Sequence, residues 1–188
     1  MMTPTHRRLG AATVLGLHTA AVGAALTPAG VLVAAVAAAV FSGGPTSPDV
    51  DNQPGAKAAD RRLPDEALGH GGPLGHRRLA HWWGLPTALG VAYALGSYTV
   101  GYHPPALVWA ALWGAWVGWL SHLPGDAVFG QGNWRYGLPK GIPLMPWWRH
   151  VGLGVKCGGK AERVVGRILA VAVAAGLVAT AIGWHPAH

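Results

Sequence analysis

The chain has 188 residues, 51% hydrophobic and only 11% charged, which excludes a soluble globule with a tail and leaves a single integral membrane domain over residues 1–188. Its 14 Lys and Arg against 7 Asp and Glu give a net charge of +7. That excess invites a nucleic-acid partner, which is not excluded, but a membrane topology explains the charge without one. One cysteine, Cys157, rules out an internal disulfide.

Five hydrophobic segments follow in order, at about residues 9–26, 31–41, 82–102, 106–123 and 164–184. The long ones reach roughly 18 to 21 residues, enough to cross a hydrocarbon core of about 30 Å. The second is short, so the sequence predicts an all-α, polytopic protein with four to five transmembrane helices. A secretory signal is the competing reading of the first segment. Its apolar run is longer than a usual signal core and another apolar stretch follows at once, which favours a helical hairpin.

With the amino terminus and its Arg7 and Arg8 in the cytoplasm, the turns at 27–30 and 103–105 fall outside and carry no charge. Two long segments, 42–81 and 124–163, fall inside and carry Lys57, Arg61, Arg62, Arg77 and Arg78, then Arg135, Lys140, Arg149, Lys156, Lys160 and Arg163. Arg167 lies just within the last span. All 14 basic residues are then cytoplasmic, the expected bias for a multi-pass protein of the inner membrane. Both inner segments are broken by Gly and Pro, and nothing in them reads as a strand. Long irregular segments of this kind are either functional or disordered.

The chemistry lies in where His and Asp fall relative to the helix ends. His6 precedes the first span; Asp49 and Asp51 follow the second; His76 and His81 stand before the third; His122 and Asp126 close the fourth. All seven are thus expected at the cytoplasmic mouth of the bundle, although they come from four places in the chain. Two carboxylates one residue apart repel each other in a partly desolvated site, a conflict that a divalent cation removes while neutral imidazoles complete its coordination. His122 and Asp126, four residues apart, share one helical face. Each piece alone has a plainer reading: Asp-x-Asp after Pro48 is more often a turn or cap, and His81 beside Trp82 and Trp83 suits an interfacial residue. His18, in mid-span, reads as a neutral imidazole bonded to a neighbouring helix.

Taken together, Thr5-His6, Pro48-Asp49-Val50-Asp51, His76-Arg77 through His81, Ser121-His122 through Asp126 and the run from Gly141 to Trp147 resemble the YdjM-like membrane-bound metal-dependent hydrolases. The resemblance covers most of the chain, in order. It implies that His6, Asp49, Asp51, His76, His81, His122 and Asp126 belong to a metal site and that Arg77 faces an anionic group. More distantly, the order of these residues is similar to the zinc phospholipase C and single-strand nuclease superfamily, which implies phosphoester hydrolysis in an all-helical site. The chain departs from the family's pattern at Arg78, Ala80, Trp82 and Phe129, and Pro124 and Gly125 lie inside His-x-x-x-Asp, where a helix is expected to kink or end.

The expectation that results is a hydrolase at the cytoplasmic membrane face, with zinc the first choice of ion and manganese or magnesium the others. Its substrate is a lipid headgroup or another phosphoester in contact with the bilayer. Asp49, Asp51, His122 and Asp126 hold metal with His6, His76 and His81 as further ligands; among the catalytic residues His76, Arg77 and His81, an imidazole serves as acid or base and Arg77 clamps the anion. The contrasting reading is a non-catalytic membrane protein with a structural or vestigial metal site. A metal or proton transporter is disfavoured because the spans carry no carboxylate.

Overall fold

Helix α1, Thr3–Thr19, begins ahead of the first apolar segment and so carries His6, Arg7 and Arg8 in its first turns. The structure, a computed structural model, describes residues 3–19, 26–43, 81–101, 103–129, 142–145 and 148–183. Of the candidate site residues above, Asp49, Asp51, His76 and Arg77 lie outside these, as do the departures at Arg78 and Ala80.

Thr27 opens α2, Pro28–Gly43: its hydroxyl accepts the Gly30 amide at 3.2 Å, and Pro28 in the first turn has no N–H to leave unsatisfied. Helix α3, Gly84–Val100, ends at Gly101, whose φ of 65° lets its amide return to the Ser97 carbonyl. Helix α4, Ala106–Phe129, starts after Pro104-Pro105 and continues past Pro124 and Gly125. The expected break at Pro124 does not occur. Proline there removes the bond to the Leu120 carbonyl alone, and the last carbonyls of the helix are met from outside it: Ala127 by the Leu153 amide at 2.8 Å, Val128 by the Val155 amide at 2.9 Å and Phe129 by the Cys157 thiol at 2.8 Å. Helix α5, Lys160–Ala181, is opened by Glu162, whose carboxylate accepts the Gly158 amide at 2.7 Å.

One element corrects the sequence reading, which found no strand. Residues Ile142–Met145 (β1) and Trp148–Val151 (β2) pair antiparallel, with Ile142 opposite Val151 and Met145 opposite Trp148. Strands of four residues carrying Pro143 are too short to show an alternating pattern.

The centre of the bundle is α1, α2 and α4; α5 packs on α1, and α3 on α4. Small residues set the spacing. A Cβ on Gly10 would stand 2.5 Å from the Ala38 carbonyl oxygen, and one on Gly114 or Gly118 would strike the backbone of Ala34 or Ala38. Glycines one turn apart on α4 therefore face alanines one turn apart on α2, a contact that lets two backbones meet in the absence of bulky side chains. Val14, Leu15, Val31 and Val117 fill the space around this seam.

Two helices, α4 and α5, are long and apolar enough to cross a membrane. The expected count of four to five is not reached among the described residues: α1 and α3 have 17 residues and α2 has 16. The outer faces are nonetheless apolar, with Val36, Leu95, Ile168 and Val171 exposed, the pattern of helices solvated by lipid.

Candidate metal centre

The last turn of α2 organises the centre. Carbonyls at a helix C-terminus have no partner within the helix, and two of them here are met by α1 and α4. Gly43 accepts Arg7 Nε at 3.0 Å, and Ser42 accepts His122 Nδ1 at 2.7 Å. Because a carbonyl only accepts, Nδ1 carries the proton and neutral His122 presents the lone pair of Nε2. The Ser42 hydroxyl donates to the His6 carbonyl at 2.8 Å, which fixes α1 against the same turn.

Around this anchor four side chains meet, each at most 1% exposed: His6, His81, His122 and Asp126. His6 stacks on His122 with ring centroids 4.0 Å apart and an angle of 17°. Its Nε2 lies 3.0 Å from Asp126 Oδ1. This stacking needs Gly125, since a Cβ there would come within 3.0 Å of the His6 ring. His81 arrives from the short turn ahead of α3, with Nε2 at 3.2 Å from His122 Nε2 and 3.4 Å from Asp126 Oδ2. The third side, His122 Nε2 to Asp126 Oδ2, is 3.5 Å.

His6, His122 and Asp126 form a cluster that could hold a metal ion. The donor set fits one. Ligand atoms about 2.0–2.2 Å from a tetrahedral zinc stand roughly 3.3–3.5 Å from one another. The 3.2, 3.4 and 3.5 Å sides of the triangle formed by His81, His122 and Asp126 match that spacing. Two imidazoles and a carboxylate are also the mixed nitrogen and oxygen set that zinc accepts. Burial pushes the His6 imidazole down to about 4, against the opposing hydrogen bond from Asp126 and with a smaller push from His122, so the ring is neutral at physiological pH.

The structure thus brings together four of the seven predicted ligands, from three separate stretches of chain. It places His18, buried in α1, apart from them in the sequence of helical turns. Phe129, one of the departures from the family's pattern, ends α4 as a buried side chain. Sequence reasoning missed Ser42 and Gly125. Ser42 acts largely through its carbonyl, which no side-chain pattern reveals; the one legible hint is a lone hydroxyl closing an alanine-rich helix beside Gly43. Glu162 was also missed as a buried carboxylate, and its cap on α5 accounts for it.

Comparison with known proteins rests on one match. The profile of the YdjM inner membrane protein family aligns with residues 1–186. No curated protein and no solved structure matches the chain significantly. With nearly the whole length aligned, and apolar helices that fit contact with a lipid bilayer, the chain belongs to the YdjM inner membrane protein family.

Proposed function

We propose that this protein is a membrane-bound, metal-dependent hydrolase acting on a phosphoester or lipid-related substrate at the cytoplasmic face of the inner membrane. The observation that carries this reading is the convergence of His6, His81, His122 and Asp126, buried together at the end of α4. Zinc is the ion the donor set favours. When bound, a divalent ion supplies Lewis acidity, polarising a phosphoryl oxygen and acidifying water. His81, His122 and Asp126 would hold it, and His6 is bonded to the other oxygen of the same carboxylate. Asp49, Asp51 and His76 extend the set, and Arg77 pairs with the substrate anion. The amino terminus and the segments 42–81 and 124–163 are cytoplasmic in this proposal, which gathers every Lys and Arg on one side of a multi-pass chain.

Elemental analysis of the protein purified in detergent tests the site without a guessed substrate. Wild type should carry zinc or another divalent ion, His122→Ala and Asp126→Ala should lose it, and chelation should lower the thermal midpoint of wild type alone. Any phosphodiesterase activity should disappear from both variants with the metal. Absence of metal from wild type, or full activity in both variants, refutes the assignment. The near-complete burial of all four side chains favours a second reading, a closed structural metal site without turnover. That reading predicts bound metal and a chelation-sensitive midpoint with no hydrolysis of any phosphoester offered.

A further inference from the structure

Between α3 and α4, with Phe41 of α2 at one end, runs a cavity of about 950 Å³. Its walls are almost entirely apolar: Gly90 and Ala94 on α3, and Trp109, Trp113 and Trp116 on α4. Among its few polar lining groups are Thr87 and Ser97 of α3 and His103 ahead of α4. The near end is defined by Phe41 and Trp119. Phe41 adjoins Ser42, and Trp119 lies three residues before His122 on the same helical stripe. Along α4 the lining runs from Ala106 to Trp119, which at about 1.5 Å per residue is roughly 20 Å. Leu89 and Leu112, which line it, are also exposed and belong to the apolar surface that lipid covers.

We infer that this groove holds the hydrocarbon chain of an amphiphilic substrate whose anionic phosphoester head lies at the metal cluster. This deepens the proposed function and rests on it for the head, but the chain site stands on the groove alone. The placement favours such an occupant: the metal cluster begins one helical turn beyond the Trp119 end, and from there a long groove lined mainly by aromatic and small side chains opens onto lipid. A soluble phosphoester has no use for the channel.

The probe is lysophosphatidic acid with one sixteen-carbon chain, measured against glycerol 3-phosphate, which has the same head and no chain. Both are titrated onto the full-length, zinc-loaded protein in detergent, with binding read by native mass spectrometry. Lysophosphatidic acid should bind at least about tenfold more tightly than glycerol 3-phosphate, a difference of about 1.4 kcal/mol that burial of two methylenes covers. Ala94→Trp, which fills the groove midway, should abolish that advantage and leave zinc content unchanged; Ser97→Phe, farther along, should act the same way and guards against a single misfolded variant. An undiminished advantage in both variants overturns the inference. Failure of the metal reading looks different: wild type then holds no zinc, yet the sixteen-carbon chain still binds and Ala94→Trp still expels it.

Discussion

His122 presents a lone pair toward its neighbours because a helix end left the Ser42 carbonyl without a partner. The same economy sets His6, whose ring is neutral because it is buried and not because it lacks a carboxylate beside it. In the metal-free protein this has a pH signature. His6 titrates near 6.5 in the unfolded chain and about 4 in the folded one, so between those values the unfolded chain binds the extra proton. Acidification from pH 6.5 toward 4 should therefore lower the thermal midpoint of the chelated protein, and His6→Gln should flatten the decline; a midpoint independent of pH over that window contradicts the assignment. At this scale His122 and Asp126 were legible from their spacing, and His6 and His81 from their places beside apolar segments. Ser42 was not, because backbone carbonyls are the same at every position and only the end of a helix makes one special.

Among the elements, the seam between α2 and α4 decides whether the centre assembles. Gly118 lies one turn from His122, and the backbone of Ala38 fills the space a side chain would need. Gly118→Ala should force the two helices apart and cost about 1–3 kcal/mol, the usual penalty for overpacking, and the zinc content should fall with it as Ser42 withdraws from His122. Gly96→Ala is the matched control. Nothing lies within 4 Å of a Cβ there, so the change should be neutral or stabilising by up to about 1 kcal/mol with zinc retained. Equal losses in both variants would show that helix glycines matter here for some reason other than close approach. The sequence reading placed the five helices but not their ends. Apolar runs mark where lipid or core is met, whereas α1 and α4 extend past those runs into polar residues, and it is these extensions that carry His6 and Asp126. The hairpin of β1 and β2 went unseen because so short a pair depends on its partner strand more than on its own residues.

For the whole molecule, helical class and an apolar exterior follow from composition, while the number of crossings does not, since α1, α2 and α3 fall just short of spanning length. The mode of attachment differs from helix to helix. Against α4, α2 is joined backbone to backbone, but α3 hangs from the Trp116 indole donating to the Pro86 carbonyl at 2.8 Å and from the stacking of Tyr93 on Trp109 at 5.3 Å. A helix tethered by two aromatic side chains behaves as a hinged panel on a fixed frame. Deuterium should enter the amides of 84–100 well before those of 31–43 and 110–123, and Trp116→Phe, which keeps an aromatic side chain but drops the N–H and part of the indole's packing, should widen that gap; equal protection of all three helices would show a panel sealed as firmly as the frame behind it.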